Sequence, residues 1–191
     1  MGNLVLDIGI NDADYPVAKK INGKLVICPI YRKWLDMLKR CYSKKFQEKR
    51  PNYIGCTVCD EWLTFSGFES WMKNQDFKGK SLDKDIILVG NKKYSADNCV
   101  FVNPLTNSFM SDRANARGSY PIGVSLELKL NKFRARCNNP FTKKNEYLGL
   151  FDYPNQAHEA WRKRKHELAC QLAELQDDPR VAMALRSRYA H

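Results

Sequence analysis

The segment Ser81–Asn107, with the sequence SLDKDIILVGNKKYSADNCVFVNPLTN, decides how the chain is organised. Leu82–Leu88 holds a first apolar block and Cys99–Val102 a second. Between them lies Gly90–Lys93, where glycine and asparagine favour a turn because they tolerate positive φ. Pro104 then stops the second strand and suits the first turn of a helix. The segment therefore predicts two short strands, a polar loop and a helix.

Polar side chains recur inside this predicted ββα unit. The candidates for chemistry are Asp83, Lys84, Asp85, Asn98 and Asn107. The motif residues are Leu82-Asp83, Tyr94-Ser95 and Asn98-Cys99. In their order and type they resemble the phage branch of the HNH family of ββα-metal nucleases.

The resemblance implies metal-dependent hydrolysis of a DNA phosphodiester. Asp83 and Asn107 would be the metal ligands, Asn98 would brace the loop, and the ion would be Mg²⁺ or Mn²⁺. The general-base histidine of that family follows the first acid, and here Lys84 stands in its place. Lysine has an ordinary pKa of about 10.4, so it serves poorly as a base near pH 7 but can hold a phosphate. Asp85 is the alternative base or ligand.

Upstream blocks extend the resemblance over residues 30–110. The run Tyr31–Tyr42 places apolar residues at helical spacing, which predicts a helix over residues 30–46. A second apolar stripe at helical spacing follows in TFSGFESWM, residues 64–72. Residues 1–29 predict an arm or edge strands, with LVLDIGI and KLVICPI as short strands and Asn22-Gly23 as a turn.

Composition narrows the function classes. The 191 residues carry 32 Lys and Arg against 21 Asp and Glu, a net charge of +11, which favours a polyanionic partner. No run of 18 apolar residues is present, which predicts no membrane span. The N-terminus lacks a basic start, so we expect no signal peptide and a cytoplasmic protein, in the host cytoplasm if phage-encoded.

Seven cysteines in such a chain predict reduced thiols. Cys56-x-x-Cys59 has the spacing of a zinc knuckle, with Cys41 and Cys99 as the nearby candidates for further ligands. Small buried thiols around the ββα core are the favoured interpretation over a structural zinc site.

Residues 120–176 predict three strands followed by a long helix that begins at Tyr153-Pro154. In the middle strand, Phe133, Ala135 and Cys137 alternate with basic and polar residues, so a period of two separates an apolar face from a basic face. The run Arg162–Lys165 reads as a solvated face of the helix.

This order resembles the Apetala/ethylene-response-factor DNA-binding domain, in which the sheet contacts the major groove. The residues that this resemblance would place on DNA are Arg134, Arg136, Asn138, Asn145 and Tyr147. Ser125 and Glu127 stand where that family usually has arginine. Lys132 joins the basic face, which we interpret as a like-charge cluster without a partner, and Arg113 and Arg117 of the polar linker are free to reach a DNA backbone.

The sequence therefore predicts an α+β protein with five parts: an arm (1–29), an HNH-like ββα region (30–110), a basic linker (111–119), a three-stranded antiparallel sheet packed on one helix (120–176) and a tail (177–191). The expected partner is double-stranded DNA, as in homing endonucleases. Three alternatives stay open: an inactive HNH scaffold that binds or regulates DNA, a phage protein that binds RNA or a host partner, and an accidental likeness of the hairpin.

Overall fold

The computed structural model describes residues 3–111 and 119–190, and the fold is mixed α and β. The chain divides into two compact units, residues 1–103 and 104–191. Within the described residues no helix is long and apolar enough to cross a membrane.

The first unit begins with two hairpins. β1 (Asn3–Val5) pairs with β2 (Gly9–Asn11), and β3 (Ala18–Ile21) pairs with β4 (Lys24–Ile27), both antiparallel. The Asn22-Gly23 turn is confirmed, with both residues at positive φ. LVLDIGI is a hairpin rather than one strand, because Leu6 and Asp7 adopt positive φ and reverse the chain.

The predicted helix over residues 30–46 is two helices, α1 (Pro29–Tyr42) and α2 (Lys44–Lys49). Ser43 separates them because it takes an extended conformation and its hydroxyl accepts a hydrogen bond from Phe46 N, as an N-cap does. Trp34 of α1 is fully buried and donates its indole N–H to Trp62 O at 2.8 Å.

Short strands and a further helix complete the first unit. β5 (Thr57–Val58) pairs in parallel with β7 (Lys93–Tyr94), and α3 (Phe65–Met72) packs its predicted apolar stripe into the core. β6 (Ser81–Asp83) pairs antiparallel with β8 (Val100–Val102). The two predicted strands are present, but the first stops at Asp83. The prediction that the first strand continues over Ile86–Leu88 is wrong, because the Asp83 carboxylate accepts backbone hydrogen bonds that turn the chain there.

The second unit contains one larger sheet and three helices among its described residues. α4 (Pro104–Met110) precedes residues 112–118, which lie outside the description. β9 (Val124–Glu127), β10 (Lys132–Asn138) and β11 (Asn145–Phe151) form an antiparallel sheet with β10 in the middle. The three predicted strands are thus confirmed.

α5 (Pro154–Ala173) covers the apolar face of this sheet, and α6 (Pro179–Arg188) packs against α5. Arg164 of α5 makes two hydrogen bonds to the Glu146 carboxylate of β11, at 2.7 and 3.2 Å. His158 Nδ1 lies 2.9 Å from Ile122 O. These contacts fix the helix against the sheet, so the opposite face is left to solvent.

Candidate functional site

Asp83 ends β6, and its carboxylate shapes the loop that follows. Oδ1 accepts hydrogen bonds from the backbone N–H groups of Asp85 and Ile86, at 2.9 and 3.0 Å. Burial, and after it the negative charge of Asp85, raise the pKa of Asp83 to about 6. A buried carboxyl group whose ionisation is disfavoured in this way is one whose charged form a cation would stabilise.

Lys84 is a buried lysine, with its side chain 7% exposed. Its ammonium group donates to Asn91 O at 2.7 Å and lies 3.2 Å from Asp85 Oδ2. Asn91 donates in return to Lys84 O at 2.6 Å, so the two residues hold the 84–91 loop together. The ammonium is therefore occupied within the first unit rather than exposed to solvent.

The two asparagines of the predicted catalytic set lie in different units. Asn98 is half-buried in a turn that the Cys99 N–H to Ser95 O bond closes. Asn107 lies on α4 in the second unit, and its carbonyl accepts hydrogen bonds from Ser111. The Asp83–Asn107 metal site therefore stays a prediction. The predicted phosphate contacts Arg113 and Arg117 fall outside the described residues.

The cysteines of the first unit lie mostly in its core. Cys41, Cys56, Cys59 and Cys99 are each no more than 6% exposed. Burial raises the pKa of Cys41 and of Cys99 to about 12. Protonated, buried thiols behave as small apolar side chains.

The exposed face of the second unit's sheet carries the predicted DNA-binding residues in two cross-strand pairs. Arg136 lies opposite Tyr147, and Asn138 lies opposite Asn145. All four are exposed, Tyr147 at 58%. A bulge between Ala135 and Arg136 shifts the register here and sets the direction of this end of the face. We refer to these four residues as the polar end of the sheet.

The other end of the basic face is neutralised, and here the predicted unpartnered cluster was wrong. Arg134 forms an ion pair with Glu127 of β9. The Lys132 ammonium lies 3.1 Å from the Asp152 carboxylate. Both acids come from other parts of the chain than β10, so the alternation within β10 could not reveal them. Arg136 is the one arginine of β10 without an ion pair among the described residues.

Lys165 is a residue that the sequence interpretation missed. The sequence predicts a solvated face for the run Arg162–Lys165, yet the Lys165 ammonium donates to Phe109 O at 2.9 Å and lies 3.3 Å from the centre of the Phe109 ring. Burial lowers the pKa of Lys165 to about 8. A signal for this was present, because Lys165 lies four residues after buried Trp161 and four before buried Ala169, on the apolar face of α5.

Among the described residues, no three His, Cys, Asp or Glu side chains converge in a way that could hold an ion. Asp83 and Asp85 nevertheless supply carboxylate oxygens, which suit Mg²⁺ or Mn²⁺, and Mg²⁺ commonly uses one or two carboxylates with water and substrate phosphate. The donor chemistry fits an ion that arrives with a phosphate.

Comparisons of the chain with models of protein families, with curated proteins and with solved structures found no match.

Proposed function

We propose that this chain is a double-stranded DNA-binding protein of the phage HNH type, and that the polar end of the sheet contacts the major groove. The observation that supports this is the cross-strand arrangement of Arg136 with Tyr147 and of Asn138 with Asn145 on one exposed face. Arginine hydrogen-bonds guanine through two atoms and asparagine does the same with adenine, so such a group can read base edges.

Charge supports the same proposal. Residues 111–170 carry 12 Lys and Arg against 6 Asp and Glu, and four of these acids are engaged by Lys132, Arg134 and Arg164. The excess positive charge attracts a polyanion and makes binding depend on salt. The Lys132–Asp152 and Arg134–Glu127 pairs shift the predicted contact surface toward the polar end of the sheet.

A matched pair of arginine variants tests the proposal in the full-length chain. We expect Arg136→Gln to weaken binding of a labelled duplex about 5- to 100-fold at constant salt, because a base or phosphate contact is lost without damage to an internal ion pair. Arg134→Gln is the control, and it should change affinity much less because Glu127 already neutralises Arg134. Fluorescence anisotropy from 50 to 300 mM salt measures both.

Equal affinities of wild type and Arg136→Gln for duplex DNA would refute the assignment of the polar end of the sheet. Tighter binding to a single-stranded or duplex RNA of the same sequence would replace DNA by RNA as the partner. No binding to either nucleic acid would leave a host protein as the partner and reject the proposal.

A second candidate function, hydrolysis of the DNA backbone, is favoured by one observation: the Asp83 carboxyl group is held beside Asp85 with a raised pKa. Asp83 and Asp85 would hold Mg²⁺ or Mn²⁺, which would supply charge stabilisation for the leaving oxygen. Hydrogen bonds from the backbone N–H groups of Asp85 and Ile86 orient the Asp83 carboxylate. The Lys84 ammonium stabilises the loop through its hydrogen bond to Asn91 O. The chain would then be an HNH endonuclease of the homing type.

Nicking of supercoiled plasmid with Mg²⁺ or Mn²⁺ tests this second candidate. We expect Asp83→Ala to abolish nicking and Asp76→Ala, an exposed acid of the first unit paired with Lys80, to leave it unchanged. Absence of nicking by the wild type with both ions would make the chain a non-catalytic HNH scaffold, and the proposal of DNA binding would stand by itself.

A further inference from the structure

A cleft of about 640 Å³ lies within the second unit, bounded by α4, residues 120–123, the end of β10 and the middle of α5. Its volume falls within the range of small-molecule sites. The described residues that line it include three cationic side chains, those of Arg136, Lys143 and Lys165, and no carboxylate. In a chain whose other basic residues frequently pair with acids, this is an uncompensated positive site.

The cleft has a polar entrance and an apolar interior. Arg136 and Asn138 are exposed and lie where β10 extends beyond its last pairing with β9, Ala135 opposite Val124, and the exposed Lys143 lies in the loop between β10 and β11. Cys137 and Trp161 are buried, at 1% and 8% exposure. A ligand with an anionic group and a carbon skeleton would match both parts.

Lys165 of α5 lines this cleft and is half-buried, and its ammonium has no carboxylate within ion-pair distance among the described residues. It donates one hydrogen bond, to Phe109 O, and faces the rings of Phe109 and Tyr189. The titratable and charged groups near it are the Cys137 thiol of β10, Arg188 of α6 and the Tyr189 hydroxyl. Because burying a charge without a counterion is costly, the site favours an anion.

We propose that this cleft binds a small phosphate monoester, with its phosphate attracted by Lys165 and by Arg136 and Lys143 at the entrance, and its organic part against the apolar lining. A phosphate monoester carries nearly two negative charges at pH 7, so it offsets three cations better than a single carboxylate does. The cleft is also much larger than inorganic phosphate, and Leu105, Ile122 and Trp161 supply apolar surface for a further group.

This inference goes beyond the proposed DNA binding but shares three residues with it. Arg136, Asn138 and Asn145 belong both to the cleft and to the polar end of the sheet. An occupied cleft therefore competes with duplex DNA for these residues. Lys165 belongs to the cleft alone, so its variants separate the two proposals.

Isothermal titration calorimetry on the full-length chain tests the inference. The probes are thymidine 5′-monophosphate, glucose 6-phosphate, inorganic phosphate and, as an uncharged control, thymidine. We expect at least one of the two esters to bind more tightly than inorganic phosphate, and thymidine not to bind. Lys165→Met, which keeps the length of the side chain, should weaken ester binding at least tenfold. Lys163→Met, on the exposed side of the same helix, should leave it unchanged.

Two further measurements distinguish loss of the anion site from other effects of the substitution. Lys165→Gln keeps a donor for Phe109 O but lacks the charge, so it distinguishes loss of the anion site from loss of the hydrogen bond. An anion stabilises the protonated amine, so at pH 8.5 ester binding should take up a proton, seen as a heat that varies with the ionisation enthalpy of the buffer. Lys165→Met should lose this proton uptake.

The source of the phosphate is distinguished by a 5′-phosphorylated oligonucleotide and its unphosphorylated counterpart. A preference for the phosphorylated strand that Lys165→Met removes identifies a DNA end as the ligand, whereas binding of the free esters alone identifies a metabolite. The inference is overturned if neither ester nor the phosphorylated strand binds at millimolar concentration, or if Lys165→Met and Lys165→Gln bind as tightly as wild type. Binding of a duplex that lacks terminal phosphates to the Lys165→Met variant tests the DNA-binding proposal separately.

Discussion

Replacement of Gly123 by alanine is expected to destabilise the second unit by about 2–5 kcal/mol. Gly123 has a φ of +83°, a conformation that costs a residue with a Cβ about 1–2 kcal/mol. A Cβ would also lie 2.1 Å from Cδ1 and 2.3 Å from Cγ of Trp161, and such overpacking typically costs about 1–3 kcal/mol.

The Trp161 ring has little freedom to give way. It is 8% exposed, stacks on His158 at 5.4 Å and meets the Tyr189 ring edge-on at 6.0 Å. Gly123 O also accepts a hydrogen bond from Arg136 N at 2.9 Å. A shift of the loop would thus disturb the polar end of the sheet as well as the cleft.

Hydrogen exchange measured by mass spectrometry on the full-length chain is the suitable assay, because peptides from β10 and α5 report on the second unit alone. Three of the four tryptophans lie in the first unit, so total fluorescence would mix the two. Gly90→Ala is the matched control, since Gly90 has a φ of +79° but open space around it. If Gly123→Ala lowers the opening free energy of its unit no more than Gly90→Ala lowers that of the first, the argument from close packing is refuted.

Three further predictions concern titration, thiols and the link between sheet and helix. Because the pKa of Asp83 is raised to about 6, the native state binds that proton more tightly than the unfolded state. The unfolding free energy of the first unit should therefore fall as the pH rises from 4 to 6. Urea titrations of the Asp83→Asn variant should lack this fall. In native protein, a thiol reagent should modify the partly exposed Cys28 and Cys170 while Cys41 stays unreacted until urea is added; equal rates for all three would contradict the described burial. Glu146→Gln should lower the stability of the second unit by about 1 kcal/mol because the two-point contact with Arg164 weakens, with denaturant midpoints as the readout and no change as the contrary result.

Local sequence patterns were sufficient for much of the second unit. Alternation over Lys132–Asn138 predicted a strand with an apolar face, and the structure has that strand at the centre of the sheet. Tyr153-Pro154 predicted the start of α5, because proline at the first turn removes no helical hydrogen bond. These features depend on residues a few positions apart, which a sequence displays directly.

The same patterns predicted element boundaries wrongly where a side chain accepted hydrogen bonds from backbone N–H groups. Ile86–Leu88 has the composition of a strand, but the Asp83 carboxylate binds two backbone N–H groups and turns the chain. Ser43 divides the predicted first helix in the same manner, by capping α2. Asp and Ser side chains compete with backbone carbonyl groups for backbone N–H donors. Which acceptor is used depends on the surrounding fold.

The sequence by itself determined the mixed α and β composition, the positive charge and the periods that define the faces of α5 and β10. Only the tertiary structure decided which charges are free. Glu127 and Asp152 neutralise Arg134 and Lys132, while Lys165 is half-buried with no acid in ion-pair distance among the described residues. Periodicity is a property of neighbouring residues, whereas ion pairing and desolvation depend on groups brought together from distant positions, and so the unpaired part of the basic surface is defined only by the fold.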